Sequence, residues 1–244
     1  MQAATLVFQC SIAMSSEEIV NYRVSVDCVV FGFDGSKLNV LLIKMLGKDE
    51  NLHNLKLPGG IIRKDEDLDE AARRVLDYYT GLTSLDLIPF RAFGSPDRIK
   101  NPLDVKWVEQ LEKLEIIRAV TAAFVGLVRL DSDTKVRSGF EARWVPVSEV
   151  PELAFDHNEI INQSLPFIRM MGMADPSKLS HLLPEKFTAS QLLALYNEIF
   201  GKKVVIRNFY KKIHALPGVV QLEEKQKGVS HRAATYYKFD LGRR

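Results

Sequence analysis

The sequence predicts an α/β chain of α+β character in two parts. A mixed sheet with flanking helices comes first, followed by a small helix-turn-helix unit closed by a β-hairpin. Three observations point there. Period-2 apolar runs alternate with helical stretches up to about residue 172. The stretch Met173–Pro184 then turns to Asp175-Pro176-Ser177 and Pro184, the composition of a domain boundary. Beyond it the charge changes sign: Glu185 to Arg244 holds 12 Lys and Arg against 5 Asp and Glu, a net of +7. The residues before hold 21 against 26, a net of −5. An acidic body with a basic C-terminal module is the asymmetry of a nucleic-acid binder, and a merely solvated basic face is the plainer alternative.

Arg23 to Phe33 reads as a strand ending at the Asp34-Gly35 turn, with Leu38 to Met45 as its hairpin partner. Leu55 to Ile62 is a third strand broken by Pro58-Gly59-Gly60. Asp67 to Tyr79 is helical: Leu68, Ala71, Ala72, Val75, Leu76 and Tyr79 form one apolar face, acidic residues crowd its start, and Gly81 follows its end. Leu85 to Phe93 is a strand, Asp104 to Leu114 a short charged helix, Ala119 to Val128 a long apolar strand, and Ala142 to Val147 the last strand of this unit. Asp156 to Met171 closes it as a helix burying Ile160, Ile161, Leu165 and Ile168.

After the boundary, a helix capped by Thr188 or Ser190 runs to Gly201, and a basic helix follows from Val205 to Leu216. Strands Val219–Leu222 and Thr235–Phe239 flank the polar loop Glu223–Ala234. Helix, turn, basic helix and basic hairpin make a winged helix-turn-helix. His214 falls on an apolar face and reads as a structural histidine.

The 244 residues suffice for one large domain or two ordinary ones, and the 46% apolar content for a real core. The expected division is a flexible leader over 1–20, a first domain over 21–172, a linker over 173–184 and the winged unit over 185–244. Cys10 and Cys28 have no metal-ligand spacing, which fits a reducing cytoplasm. No apolar run approaches the ~20 residues of a membrane helix, so no membrane partner is expected.

Gly60, Glu66, Arg74, Leu76, Gly81 and Leu82 fall on the frame of a Nudix box, Gly-x5-Glu-x7-Arg-Glu-aliphatic-x-Glu-Glu-x-Gly-aliphatic. Val75, Tyr78 and Tyr79 stand where three glutamates belong. The chain thus resembles a Nudix hydrolase with its scaffold kept and its metal ligands lost, which implies a Nudix-like α/β/α sandwich. Relatives of that family gather magnesium on those glutamates to clamp a diphosphate. A valine and two tyrosines supply no such charge, so no catalytic residue, metal or cofactor is expected, unless Glu109, Glu112 or Glu115 reach in. Expected effector-binding residues are Asp27, Lys44, Gly59, Gly60, Glu66, Arg74 and His157, with Arg98, Arg118 and Arg143 as further candidates. Arg74 is available for a ligand or for an internal carboxylate.

The stretch Trp144-Val145-Pro146-Val147 to Phe155-Asp156-His157, with Phe187–Leu192 and Arg207–Ile213, is similar to the Nudix-related transcriptional regulators typified by NrtR. The eroded box resembles their arabinose-responsive AraR branch of Bacteroides type. The resemblance runs from about Tyr22 onward. It implies a ligand-responsive, homodimeric repressor of palindromic operator DNA, sensing a small sugar, with L-arabinose first. ADP-ribose sensing is the alternative, and an active pyrophosphohydrolase comes third. DNA contacts are expected from Arg207, Asn208, Lys211 and Lys212 on the recognition helix, and from Lys227, His231 and Arg232 on the wing. Phe209 and Ile213 should be core.

Overall fold

The computed structural model describes residues 23–44, 55–99, 101–102, 104–105, 118–131, 141–201, 203–228, 230 and 233–240. The expected leader, most of the Asp104–Leu114 helix, the three candidate glutamates and the wing residues His231 and Arg232 lie outside the described residues.

The first unit is a seven-stranded mixed sheet: β1 (Arg23–Phe33), β2 (Leu38–Lys44), β3 (Leu55–Lys56), β4 (Gly59–Ile61), β5 (Leu87–Phe93), β6 (Ala119–Arg129) and β7 (Arg143–Pro146). The order is β3-β2-β1-β6-β5, with β4 paired to β1 and β7 to β2. β1 and β6 run parallel along their full length, from Arg23↔Ala119 to Phe33↔Arg129, and the other pairs are antiparallel. β1 is buried on both faces, which is why it is apolar at nearly every position. Val26, Cys28 and Val30 pack with Ala71, Ala72, Val75 and Leu76 of helix α1 (Leu68–Thr80). Val29, Phe31 and Phe33 belong to the other core, with Ile160, Ile161 and Ile168 of helix α2 (His157–Ala174). The result is an α/β/α sandwich.

Helix ends follow the sequence signals. Asp67 and Glu70 form a reciprocal capping box at the start of α1, and Gly81 closes it at φ 75°, a left-handed conformation that costs glycine nothing. Helix α2 runs through Pro166 to Ala174, beyond its expected end.

The winged unit comprises β8 (Phe187–Thr188), α3 (Ala189–Phe200), α4 (Ile206–Ile213), β9 (Val219–Lys225) and β10 (Thr235–Phe239), with sheet order β8-β10-β9. Of the two candidate caps, Thr188 is the one used, in a capping box with Gln191. Phe209 and Ile213 are buried, as their spacing of four requires. His214 corrects its expected place: it is exposed, with its ring centroid 5.9 Å from that of Tyr237. α4 turns over only two buried positions, too few to cover a third side chain one residue on.

The expected linker is an ordered, packed segment. Pro176–Leu182 forms a 3-10 helix whose Pro176, Leu179 and Leu182 are buried. Their spacing of three puts them on one side of a three-residue turn. A Cβ on Gly172 would lie 2.6 Å from Leu179 Cδ1, so α2 and this turn pack at glycine distance. One continuous apolar cluster therefore runs from β1 through Leu179, Leu182 and Leu183 to Leu192, Phe209 and Tyr237. Two hydrogen bonds cross the same seam. The Leu38 N–H donates to the Glu198 carboxylate at 3.1 Å, and Arg169 Nε donates to the Ile199 carbonyl at 2.6 Å. That carbonyl belongs to the last turn of α3, where helices leave acceptors unsatisfied.

Leu179→Ala should accordingly cost about 2–5 kcal/mol of unfolding free energy in urea. A loss under about 0.5 kcal/mol, the ordinary surface value, would mean the segment is a loose tether.

Candidate effector site and nucleic-acid interface

The expected effector residues fall into two groups on opposite faces of the sheet. On the α2 face, Asp27 is buried, and Arg98 Nη2 donates to its Oδ2 at 2.7 Å. His157 Nε2 lies 3.4 Å from its Oδ1. His157 Nδ1 accepts the Leu57 N–H at 2.9 Å, so the ring presents its Nε2 proton to Asp27. Burial pushes the Asp27 carboxyl up, but His157 and Arg98 together outweigh it and hold the group well below the usual carboxylate range. Asp156 Oδ1 stands 3.4 Å from Arg98 Nη2, and burial raises its own carboxyl. A Cβ on Gly59 would sit 1.9 Å from Asp27 Oδ1, so only glycine fits beside the buried carboxylate. Phe155 precedes this pair at φ 59°, an outlier for a bulky residue, with its N–H held by Asp104 Oδ2 at 3.0 Å.

Arg98 Nη1 is buried without a hydrogen-bond partner, and so is Asp156 Oδ1. Both residues are central to this cluster. Arg98 was only a secondary candidate from sequence, and Asp156 was read as a helix start.

On the α1 face, Glu66 and Arg74 are joined to each other. Arg74 Nε donates to Glu66 Oε2 at 2.7 Å, and Arg74 Nη2 to Glu66 Oε1 and to the Ile61 carbonyl. The Arg63 N–H also donates to Glu66 Oε1, at 2.6 Å. The hydrogen bond from Arg74, with burial opposing it, lowers the Glu66 carboxyl below its ordinary value. Of the two roles open to Arg74, the internal carboxylate is the one observed. Glu66 and Arg74 clip the loop after β4 onto α1.

The three positions of the lost glutamates do not make a metal site. Val75 is buried against Gly60, with Val75 Cγ2 3.3 Å from where a Gly60 Cβ would be. Tyr78 is 54% exposed, with its ring centroid 5.0 Å from that of Tyr79. Tyr79 faces the buried ammonium of Lys56, 5.1 Å from its ring centroid. Magnesium demands several oxygens, negative ones among them. This set supplies a methyl, two ring faces and a positive charge, which do not fit magnesium. Lys44 lies apart, paired with Glu141 at 2.9 Å.

In the winged unit, α4 turns Ile206, Arg207, Asn208, Tyr210, Lys211 and Lys212 to solvent. Its N-terminus at Val205 has no side-chain cap, leaving backbone N–H groups facing outward. Lys227 is exposed beyond β9. Arg207, Asn208, Lys211 and Lys212 thus share one outward surface of a short helix, as phosphate and base-edge contacts require.

Fold and box together define the class: a Nudix-type sandwich joined to a winged helix domain. The NUDIX domain model matches residues 21–164, and the chain belongs to the Nudix family. The NrtR DNA-binding winged helix domain model matches residues 179–239. Among solved structures, NrtR of Shewanella oneidensis is similar with a TM-score of 0.65 at 22% identity, over 88% of this chain and 93% of that one. The same protein complexed with a 27mer DNA gives 0.66 at 21%, with the same coverage. A MutT/nudix family protein from Enterococcus faecalis gives 0.61 at 17%, over 93% of this chain and 90% of that one. At these identities the likeness is one of fold. Comparison with curated proteins gives no match. No described helix is long and apolar enough to cross a membrane.

Asp27→Asn should destabilise the protein at pH 7 by about 3 kcal/mol or more, because it leaves the Arg98 charge buried without its closest counter-charge. A depressed carboxyl contributes stability that is present above its unfolded value and lost as pH falls towards its folded one. The gap between wild type and variant should therefore narrow below about pH 4. Urea midpoints across that range check it; a gap independent of pH would refute the ionised pair.

Proposed function

We propose that the chain is a ligand-responsive transcriptional regulator, acting as a homodimeric repressor. The winged domain binds operator DNA, and the Nudix-type cleft has given up hydrolysis for recognition. The observation that carries this reading is the pairing of two features in one packed body. A cationic α4 face lies outward on a winged helix, and a box stripped of its metal donors lies in the domain behind it. The similar Shewanella oneidensis protein has been crystallised with a 27mer DNA, which supports the same use here. Two copies fit the function, since one short helix reads few bases and a palindrome matches two-fold symmetry.

The effector that we favour is a small neutral sugar, L-arabinose first. A diphosphate would find none of the carboxylate-held magnesium that usually neutralises it in this fold. Arg98 Nη1 and Asp156 Oδ1, buried without a hydrogen-bond partner beside the Asp27–His157 pair, are groups of the kind hydroxyls use, whereas Glu66 and Arg74 hold each other on the opposite face. ADP-ribose is the second reading; the buried ammonium of Lys56 favours it, as a fixed charge for a phosphate oxygen.

Arg207→Ala with Lys211→Ala should weaken binding to an operator selected from random duplexes by at least about a hundredfold while the thermal midpoint stays unchanged. Normal operator binding by the double variant would sink the assignment. Calorimetric titration with L-arabinose and ADP-ribose in parallel should show binding of the sugar. Magnesium-dependent turnover of ADP-ribose, abolished by Glu66→Gln, would instead establish a pyrophosphohydrolase.

A further inference from the structure

Lys56 has no part in the sequence reading, yet it is a lysine only 5% exposed in the centre of the box region. Its strand neighbours Leu55 and Leu57 point into the α2-side core, and the alternation of β3 turns Lys56 to the α1 side. There its Nζ donates to the Gly59 carbonyl at 3.0 Å and lies 5.1 Å from the Tyr79 ring centroid. Gly59 adjoins Gly60, where the box begins, and Tyr79 occupies one of its glutamate positions. A full positive charge is therefore held between a backbone oxygen and a π face, at the place where this family's enzymes use carboxylates to collect a cation.

We propose that Lys56 is a built-in substitute for the divalent cation, so that the cleft holds its ligand's oxygen atoms without magnesium. Among the described residues, the former glutamate positions fit a single charge better than a double one. Val75 is apolar, and both oxygens of Glu66 are engaged by Arg74 and the Arg63 N–H. A second cation arriving beside Lys56 would meet repulsion with no carboxylate at positions 75, 78 or 79 to offset it. The two changes explain each other: with the glutamates gone an ammonium can be buried there, and with the ammonium in place the glutamates have no ion to hold. The statement about ligand oxygens rests on the proposed sensor function. The replacement itself does not.

The test restores the carboxylates and asks what the lysine does to a metal. Tyr78→Glu with Tyr79→Glu is made in the full chain, once with Lys56 retained and once with Lys56→Gln, which keeps a donor to the Gly59 carbonyl and removes the charge. Manganese uptake is followed by electron paramagnetic resonance, and the thermal midpoint is followed with manganese and with chelator. The Lys56→Gln variant should take up manganese at least about tenfold more tightly than the variant retaining Lys56, and its midpoint should rise with the ion. Lys56→Met replaces Lys56→Gln if the latter does not fold. Equal uptake with Lys56 present, or no uptake once its charge is removed, overturns the proposal. Neither readout involves effector or operator, so failure of the regulator reading would leave this result standing on its own.

Discussion

The buried carboxylate of Asp27 is the constraint on which the surrounding structure depends. Removing a carboxylate from water is costly, and the cost is offset only where partners of fixed geometry reach it. Arg98 comes from the loop after β5 and His157 from the first turn of α2, so one charge fixes two distant segments against β1. The same carboxylate admits no side chain at Gly59, which sets the approach of β4. His157 in turn takes the Leu57 N–H, locking the strand that leads into the box. Helix α2 thus begins at the Asp27 cluster. Twelve residues later Arg169 holds the end of α3, the helix that precedes the cationic α4. A rigid element with the cleft at one end and the winged domain at the other is a physical route for coupling the two.

The sheet divides the site into parts with different duties. On the α2 side, ionised groups are buried and matched, with an orphaned guanidinium N–H and a carboxylate oxygen at the edge of the match. On the α1 side, Glu66 and Arg74 cancel each other, and Lys56 is the cation. Among the described residues, neither side gathers the several negative oxygens that a magnesium ion requires. The two units share one continuous apolar cluster.

Much of this was legible in the sequence because it is periodic or local. The buried faces of α1 and α2, the acidic start and glycine end of α1, and the inward Phe209 and Ile213 follow from spacing alone, although Leu68 of the expected α1 face is exposed. The erosion of the box was equally plain, since Val75, Tyr78 and Tyr79 stand at fixed distances from Gly60 and Arg74. What escaped depends on partners far apart in the chain. Arg98 lies 71 residues from Asp27, and His157 lies 100 from Leu57. Lys56 did carry a signal, a lone cation between Leu55 and Leu57 beside a glycine pair, but strand polarity alone does not say what lies above it. The Pro, Asp and Ser of Met173–Pro184 indicate a domain boundary but not that the boundary is packed. The spacing of Pro176, Leu179 and Leu182 was the better guide.

The Nudix-type and winged units share one apolar core, so binding at one is expected to be felt at the other. Linkage provides the most direct measurement: the affinity for L-arabinose, and in parallel for ADP-ribose, with and without saturating operator duplex in chelator. The bound ligand should shift operator affinity by some factor other than one, and operator should shift ligand affinity by the same factor, with no divalent ion present. A ligand that binds the cleft with identical affinity whether or not operator is bound would contradict it.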